Sequence, residues 1–436
     1  MQRDAYKALL NWKKDDHKKP LIIQGARQVG KTYLIKEFGN NEYRNLYYFN
    51  FEQDRNLSSL FDASLDPERI IASLSLYIGK KIEPEKSLVF FDEIQAEPSV
   101  LTSLKYFRED AAQYDIIAAG SLLGVSIGKK TSFPVGKVSF LYLHPMSFSE
   151  YLMAAGEHLF LEELDTLSDI QPFPEAIHNK MTDHLKIYLF LGGMPEVINT
   201  YLETGDIALV RRIQKDILKA YDRDFSKYAA ESQAIKNSEF WNSIPHQLAK
   251  ENKKFKYRDI KKNARASMYE QTIEWLRKAG LINLAYNIET PKIPLSAYAD
   301  FSKFKIFMHD VGLLATKMNI SSDQIVSPDA LFRGFNGAFI KNFIAQELVS
   351  AGYEQLHYWT SRGDAEVDFI LNISSRIYPV EVKSGTSRNT KSLQSYATKY
   401  HPEKIIRISP RNLIQSGNFI NIPLYATKLL GRVLGS

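Results

Sequence analysis

Short apolar runs alternate with helical patterns over the first 150 residues of the chain. The apolar runs occupy residues 20–24, 45–51, 87–93, 114–121 and 137–143. Between the third and fourth runs, Leu101, Leu104 and Phe107 recur at the spacing of one helical face. Because strands that alternate with helices form parallel sheets covered on both faces, we expect residues 1–150 to form one α/β domain.

The pattern changes beyond this domain. It is helical over residues 151–230, which predicts a helical lid. Residues 231–325 contain three helical segments and then two strand-like runs, an order that predicts a winged helix. Residues 326–436 begin with a helical pattern and continue through several strand-like runs, which predicts a further α/β domain.

The composition excludes several kinds of chemistry. The 436 residues include no cysteine, so disulfides, thiolate metal sites and cysteine nucleophiles are excluded. Apolar residues make up 44% and charged residues 24%, the proportions of an ordinary globular protein. No apolar run approaches the roughly 20 residues that a membrane-spanning helix needs, and the charged N-terminus differs from a signal peptide. We therefore expect no membrane partner and a cytoplasmic location.

Positive charge is concentrated in one segment, Lys250 to Arg265. It holds eight basic and two acidic residues, so its net charge of +6 equals that of the whole chain. In winged helices the corresponding region faces DNA. Two interpretations stay open: the segment contacts DNA, or it is a solvated helical face in a module that contacts another protein.

A glycine-rich segment, GARQVGKT, follows the first apolar run and opens a helical pattern. It fits the phosphate-loop spacing G-x-x-x-x-G-K-[ST] in full. The two glycines allow backbone amides to turn inward, and the following helix adds its positive N-terminal end. The lysine reaches the β- and γ-phosphates, and the threonine offers a hydroxyl to Mg²⁺. The predicted nucleotide-binding residues are Gly25, Ala26, Arg27, Gln28, Val29, Gly30, Lys31 and Thr32.

The apolar run LVFFDE ends in two acidic residues, Asp92 and Glu93. At the end of a buried strand, an aspartate can hold Mg²⁺ and a glutamate can polarise an attacking water. We therefore predict Mg²⁺ binding by Thr32 and Asp92, and catalysis by Glu93 and Lys31. Ser121 follows the next apolar run and is a third catalytic candidate. It either senses the γ-phosphate or is a simple turn residue.

At GARQVGKT, LVFFDEIQ and AAGS the sequence resembles the AAA-type P-loop ATPases. More narrowly, it resembles a prokaryotic family of these ATPases with a C-terminal domain of unknown function. Members typically show a G-x-RQ-x-GKT loop, a DEIQ box, a GGMP segment and a closing EVDF…EVKSG block. All four stand here, at residues 25–32, 92–95, 192–195 and 366–385. The resemblance covers nearly the whole chain and implies ATP and Mg²⁺ as ligands.

The resemblance also bears on assembly and turnover. AAA-type ATPases often supply an arginine to the γ-phosphate of a neighbouring subunit, so oligomerisation is an expectation. Close relatives tend to show Gly-Arg where this chain has Gly136 and Lys137. Lysine carries the charge but lacks the planar fork. We expect slow turnover unless another arginine, such as Arg108 or Arg27, takes this role.

The closing block places acidic residues on two neighbouring strand-like runs, Asp368 on the first and Glu381 on the second. Lys383 lies two residues after Glu381, so both project from one face of a strand. The block resembles the restriction-endonuclease-like fold, which implies that Asp368 and Glu381 hold Mg²⁺ while Lys383 activates water. Related ATPases tend to have a glutamate where this chain has Lys341, which cannot bind a cation. We therefore favour a docking module with a salt-bridged cluster over a nuclease, and both interpretations stay open.

These observations predict four domains. They are a P-loop AAA-type ATPase core (1–150), a helical lid (151–230), a winged-helix-like domain (231–325) and a restriction-endonuclease-like domain (326–436). The expected function is that of a magnesium-dependent ATPase acting as a nucleotide-controlled switch or slow motor, with DNA or protein as its partner. One alternative is an ATP-coupled DNA nuclease. The other is a signalling-type NTPase switch that binds protein only.

Overall fold

The computed structural model describes most of the chain. It covers residues 2–62, 64–120, 136–167, 169–229, 231–250, 254–321, 336–361, 363–385 and 390–435. The chain divides into two compact units. The first comprises Met1–His144 with Lys278–Gly280, and the second comprises Pro145–Arg277 with Leu281–Ser436. The finer division into four domains stays a prediction.

A five-stranded parallel sheet forms the centre of the first unit. Its strands are β1 (Leu21–Gln24), β2 (Asn45–Asn50), β3 (Ser87–Asp92), β4 (Asp115–Ala119) and β5 (Ser139–Tyr142). They lie in the order β2-β3-β4-β1-β5, and every neighbouring pair is parallel. The predicted parallel α/β sheet is therefore confirmed. Because β1 and β3 both lie inside the sheet with β4 between them, the segments that follow them meet at one carboxyl edge.

Helices cover this sheet. They are α1 (Asp4–Lys14), α2 (Lys31–Glu42), α3 (Ser59–Asp62), α4 (Pro67–Ile78) and α5 (Pro98–Asp110). On α5 the predicted stripe of Leu101, Leu104 and Phe107 is buried. Phe107 packs against Phe91 of β3 with their ring centroids 6.3 Å apart, so the apolar face of the helix and the buried strand share one core.

The remaining chain is helical at first and ends in two sheets. The helices are α6 (Phe148–Ala154), α7 (His158–Thr166), α8 (Glu175–Leu191), α9 (Pro195–Thr204), α10 (Ile207–Tyr228), α11 (Glu231–Ala249), α12 (Ala266–Lys278), α13 (Val311–Lys317), α14 (Asn336–Ser350), α15 (Lys391–Tyr400) and α16 (Leu429–Leu434). One sheet has the order β7-β6-β8-β9, formed by β6 (Ile282–Ile288), β7 (Ala299–Met308), β8 (Leu356–Thr360) and β9 (Glu366–Val367). The other has the order β10-β11-β12-β14-β13, formed by β10 (Phe369–Ile373), β11 (Arg376–Val382), β12 (Ile405–Ser409), β13 (Ile414–Ser416) and β14 (Phe419–Pro423).

The segment predicted as a winged helix contains α11, a short 3-10 turn at Tyr257–Asp259, α12 and the antiparallel pair of β6 and β7. Its hairpin does not end at that pair, because β6 also pairs in parallel with β8. The hairpin and the first strand of the C-terminal region therefore share one sheet. The assignment as a winged helix stays a prediction.

The GGMP segment joins α8 to α9, and neighbouring atoms leave no room for a Cβ on its two glycines. Gly192 has a φ of +72°, and a Cβ on it would lie 2.3 Å from Oδ1 of Asp310. Gly193 donates its N–H to Oδ2 of Asp310 at 2.6 Å. The same carboxylate caps α13 by accepting from the N–H of Leu313. The motif therefore ties α8 and α9 to α13 inside the second unit.

Side-chain amides of α14 link other elements of this unit. Asn342 accepts from the N–H of Met308 at 2.7 Å and donates to its carbonyl at 3.0 Å. Gln346 accepts from the N–H of Val311 at 2.9 Å and donates to the hydroxyl of Tyr188 at 2.8 Å. The polar residues of α14 thus satisfy buried backbone groups of its neighbours, as buried polar groups require.

Candidate functional site

The glycine-rich loop joins the end of β1 to the start of α2 with three residues at positive φ. These are Gly25 at +148°, Gln28 at +67° and Gly30 at +94°. A Cβ on Gly25 would lie 2.2 Å from the carbonyl oxygen of Leu143, so a side chain there is excluded by the backbone that follows β5. Gly30 adopts the left-handed conformation immediately before α2 begins, which glycine does at the least cost.

Lys31, the first residue of α2, turns its ammonium group back into the loop. Nζ donates to the carbonyl oxygens of Gly25 at 3.0 Å and Ala26 at 2.8 Å, and the residue is 8% exposed. Burial lowers the pKa of Lys31 to about 8, although the negative charges of Glu93 and Asp92 oppose this shift. Near pH 7 the loop therefore contains a buried, mostly protonated amine.

Asp92, the last residue of β3, is bound by two hydroxyl groups. Thr32 donates to its Oδ2 at 2.8 Å and Tyr48 donates to the same oxygen at 3.1 Å. The N–H of Glu93 donates to Oδ1 at 3.0 Å. Burial raises the pKa of Asp92, while the hydrogen bond from Thr32 works in the opposite direction. The two predicted Mg²⁺ ligands, Thr32 and Asp92, are thus in direct contact.

Glu93 follows the end of β3 with a φ of +54°, a conformation that is uncommon for residues other than glycine. Its carboxylate accepts from the side-chain amide of Gln95. Glu93 and Asp92 both act electrostatically on Lys31, so the strand end and the loop form one site. The structure therefore brings together Lys31, Thr32, Asp92 and Glu93. Their roles in nucleotide binding and catalysis stay predictions. Ser121 lies outside the described residues.

Two further side chains contact this site and were not predicted. Tyr48 of β2 binds Asp92, and its ring also lies 3.6 Å from the ammonium of Lys36. Arg3, just before α1, donates to the carbonyl of Val29 inside the loop at 2.9 Å. Tyr48 stands in a predicted strand next to β3 in the sheet, so sheet order would have pointed to it. No pattern near Arg3 marks it out.

The donor set fits a nucleotide with magnesium. Thr32 and Asp92 offer hydroxyl and carboxylate oxygens, the hard donors that Mg²⁺ prefers. The loop offers glycine-dependent backbone turns and one protonated amine for phosphate oxygens. Lys137 forms an ion pair with Glu109 at 2.9 Å.

A second cluster lies in the C-terminal part of the chain. Asp368, between β9 and β10, is 6% exposed, and its Oδ1 lies 2.7 Å from Nζ of Lys341 on α14. Its Oδ2 accepts from the N–H of Val382 at 2.8 Å. Burial raises the pKa of Asp368, but the charges of Lys341 and Lys305 outweigh burial and leave that pKa below its usual value. Both oxygens of this carboxylate thus have protein partners.

Glu381 of β11 completes the cluster. Its Oε1 lies 2.8 Å from Nζ of Lys383, while its buried Oε2 has no hydrogen-bond partner among the described residues. Burial raises the pKa of Glu381, with the ion pair to Lys383 opposing the shift. Glu347, the nearest carboxylate further along α14, instead accepts from the N–H of Phe148 at 2.9 Å. In the described part of the chain, no group of three or more His, Asp or Glu side chains is arranged to hold a metal ion.

The basic segment is only partly neutralised by acidic neighbours. Lys250 pairs with Asp259 at 2.8 Å, and Lys261 pairs with Glu239 at 3.0 Å. Within the described residues 250 and 254–265, the exposed cations without an ion-pair partner are Lys254, Lys256, Arg258, Lys262 and Arg265. The segment therefore presents several exposed cations that form no ion pair with an acidic side chain of the described residues.

The strand–loop–helix geometry and the Thr32–Asp92 contact are typical of a P-loop nucleotide-binding domain. Residues 17–152 match a family model described as AAA domain. The first unit therefore resembles the AAA domains. Residues 182–324 match "Domain of unknown function (DUF8612)", and residues 336–426 match "Domain of unknown function (DUF4143)". The restriction-endonuclease-like assignment stays a prediction, because neither description names a fold.

Several solved structures are similar at low identity. The Walker-type ATPase PABY2304 of Pyrococcus abyssi is 15% identical over 73% of this chain and 95% of its own, with a TM-score of 0.45. The Aeropyrum pernix ORC1 protein in complex with DNA is 10% identical over 73% of this chain and 93% of its own, with a TM-score of 0.30. The Thermotoga maritima RuvB Holliday junction branch migration motor is 13% identical over 67% of this chain and 90% of its own, with a TM-score of 0.31. Scores this low do not decide the fold or activity of this chain.

A search of the curated proteins found no match. Among the described residues, no helix has the length and apolar character needed to cross a membrane.

Proposed function

We propose that this chain binds ATP with Mg²⁺, hydrolyses it slowly, and uses the nucleotide state as a switch or slow motor. The observation that carries the proposal is the 2.8 Å contact between Thr32 and Asp92 beside the phosphate loop. It joins the two oxygen donors of a magnesium site that the sequence separates by 60 positions. Bound magnesium would neutralise phosphate charge and orient the γ-phosphate.

Phosphate binding, activation of water and the rate of turnover depend on residues of the chain itself. Lys31 would exchange the carbonyls of Gly25 and Ala26 for phosphate oxygens, keeping its charge satisfied. Glu93 would orient and polarise the attacking water from the end of β3. Slow turnover follows from Lys137, because a lysine held by Glu109 lacks the bidentate fork of an arginine.

The test of ATP binding is titration calorimetry on the full chain, with and without Mg²⁺. Replacing Lys31 by Ala removes a charged donor to the phosphates, so we expect the Kd for ATP to rise by about a hundredfold or more. Lys14→Ala is the matched control, because Lys14 is an exposed residue of α1. Equal affinity in wild type and Lys31→Ala would contradict the proposal.

A second candidate function is the binding of duplex DNA by the segment Lys250 to Arg265. The observation in favour is its set of exposed cations that no described acidic residue neutralises. Such cations displace condensed counterions from DNA, so the affinity should fall steeply with salt. The neutralised pair Lys341–Asp368 argues against DNA cleavage, since a metal ion would have to displace the lysine.

Fluorescence anisotropy with labelled duplex DNA over a salt series tests this function. Replacing Lys254, Lys256, Lys262 and Arg265 by Gln should reduce the log–log salt slope by up to about 0.9 for each lost phosphate contact. Replacing Lys250 and Lys261 by Gln is the control, since acidic neighbours already hold both lysines. If the wild type fails to bind DNA at about 50 mM salt, DNA binding by this segment is refuted. The interpretation that the segment contacts another protein would then remain.

A further inference from the structure

Arg3 is a buried arginine whose side chain bridges two backbone segments of the first unit. It is 6% exposed and stands in extended conformation just before α1. One guanidinium nitrogen donates to the carbonyl of Val29 at 2.9 Å, and another donates to the carbonyl of His144 at 2.7 Å. Charged donors to carbonyls are among the stronger hydrogen bonds in proteins, and their loss leaves buried carbonyls without partners.

The position of Val29 in the loop explains how this contact can orient a neighbouring backbone N–H. Val29 lies in the loop between Gln28 and Gly30, both at positive φ. The peptide that joins Val29 to Gly30 is planar, so its C=O and N–H point in opposite directions. A guanidinium that holds the Val29 carbonyl therefore also fixes where the Gly30 N–H points, namely away from Arg3.

The second contact anchors the bridge. His144 directly follows Leu143, whose carbonyl lies where a Cβ on Gly25 would clash. The backbone at 143–144 thus supports the first glycine of the loop directly and the far end of the loop through Arg3. His144 is also the last residue of the first unit before the chain enters the second at Pro145.

We propose that Arg3 is a positioning residue of the phosphate loop. By bridging the carbonyls of Val29 and His144, it holds the Val29–Gly30 peptide in the orientation that presents the Gly30 N–H to nucleotide phosphates. This inference rests on the proposed ATP binding. Arg3 lies outside the loop motif, and no position of the motif corresponds to it.

The test compares full-length wild type with Arg3→Ala, Arg3→Lys and the control Arg69→Ala, an exposed arginine of α4. Calorimetry gives the Kd for ATP with Mg²⁺, and steady-state assays give KM and kcat. Loss of a charge-assisted hydrogen bond behind the loop should raise Kd and KM by about tenfold or more in Arg3→Ala. We expect kcat at saturating ATP to change by less than about threefold, because the water-polarising carboxylate comes from β3 rather than from the loop.

Two comparisons separate positioning from a merely structural role. Arg3→Lys keeps the charge but cannot span both carbonyls as a planar fork does, so its Kd should fall between those of wild type and Arg3→Ala. Guanidinium ion at sub-denaturing concentration should lower the Kd of Arg3→Ala and leave that of Arg69→Ala unchanged.

The inference is overturned if Arg3→Ala melts at a lower temperature yet binds ATP within about twofold of wild type. If Arg3→Ala does not fold, the Kd for ATP of Arg3→Lys is the deciding measurement. A Kd of Arg3→Lys equal to that of wild type overturns the inference. Absence of ATP binding by the wild type would instead refute the proposed function, and this inference with it.

Discussion

Two clusters in this chain contain the same kinds of side chain, lysines beside two carboxylates, but connect them differently. In the first unit, Lys31 donates to backbone carbonyls of the phosphate loop, and Asp92 at the end of β3 accepts from neutral hydroxyls. In the C-terminal cluster, Asp368 and Glu381 each form an ion pair with a lysine. The first arrangement leaves charges available to a ligand, whereas the second neutralises them within the protein.

The pKa shifts follow the same division. Burial raises the pKa of Asp92, whose hydrogen-bond donors carry no charge. At Asp368, burial works in the same direction, yet Lys341 and Lys305 reverse the outcome. A cation approaching Asp92 would meet a carboxylate that forms no direct ion pair within the described part of the chain, whereas a cation approaching Asp368 would have to displace an ammonium group. Residue composition alone therefore does not make a metal site.

The largest effect is expected at Glu93. Replacing it by Gln removes the carboxylate that we propose polarises water, so turnover should fall by about a hundredfold while the Kd for ATP stays near that of wild type. Steady-state ATPase assays and calorimetry measure the two quantities. Glu85→Gln, at an exposed position of the same unit, is the control. Unchanged turnover in Glu93→Gln would place the catalytic carboxylate elsewhere.

The next largest effect concerns the ion pair of Lys341. Lys341→Met leaves the buried carboxylate of Asp368 without its cation. This should lower the free energy of unfolding by about 3 kcal/mol at pH 7. Urea denaturation of both proteins measures this difference. The double variant Lys341→Met with Asp368→Asn should recover most of the loss, because it removes the unpaired charge as well.

The pH dependence of this loss has a defined sign. The pKa of Asp368 is held low in the folded protein, so the pair stabilises the fold above the ordinary aspartate pKa of about 3.9 and loses this effect as the pH falls through the folded value. The difference between wild type and Lys341→Met should therefore shrink as the pH falls from 7 towards 3. A difference that stays constant over this range would contradict the ion-pair account.

A smaller effect is expected from the titration of Lys31. Its pKa is lowered to about 8 by burial, and only the protonated amine can pair with phosphate. Above this pH, binding must take up a proton, so the Kd for ATP should rise by up to about tenfold per pH unit. Calorimetry between pH 7 and 9.5 tests this. Lys31→Arg stays charged, so its Kd for ATP should not change over this pH range. A Kd of the wild type that also stays constant would contradict the lowered pKa of Lys31.

No measurable effect is expected in the final experiment. Because Lys341 holds Asp368, wild type should not cut linear duplex DNA with Mg²⁺ or Mn²⁺, with or without ATP. Mn²⁺ is the more sensitive probe, since it binds such ligands more tightly. Gel assays would include Asp368→Ala and Glu381→Ala. Cleavage by wild type that disappears in both variants would make the C-terminal cluster a nuclease site and remove the contrast between the two clusters.

Part of the candidate nucleotide site could be predicted from the sequence because its residues are neighbours in the chain. The loop from Gly25 to Thr32 is a single segment, and its position between an apolar run and a helical pattern is visible without a structure. Asp92 and Glu93 end a buried run, so their place at the carboxyl edge follows from the parallel sheet. That Lys341 stands in place of a carboxylate is implied only by the resemblance to related ATPases and stays a prediction.

By itself, then, the sequence determined the strands of the first unit, their parallel sheet and the glycine-dependent turns of the loop, because strand and helix periods and glycine conformations act over a few residues. Only the tertiary structure decided which distant side chains meet. Arg3 reaches backbone 26 and 141 positions away, Gly193 meets Asp310 across 117 positions, and Lys341 takes the place beside Asp368. The physical reason is that a hydrogen bond or ion pair depends on distance in space, and chain spacing sets that distance only for near neighbours.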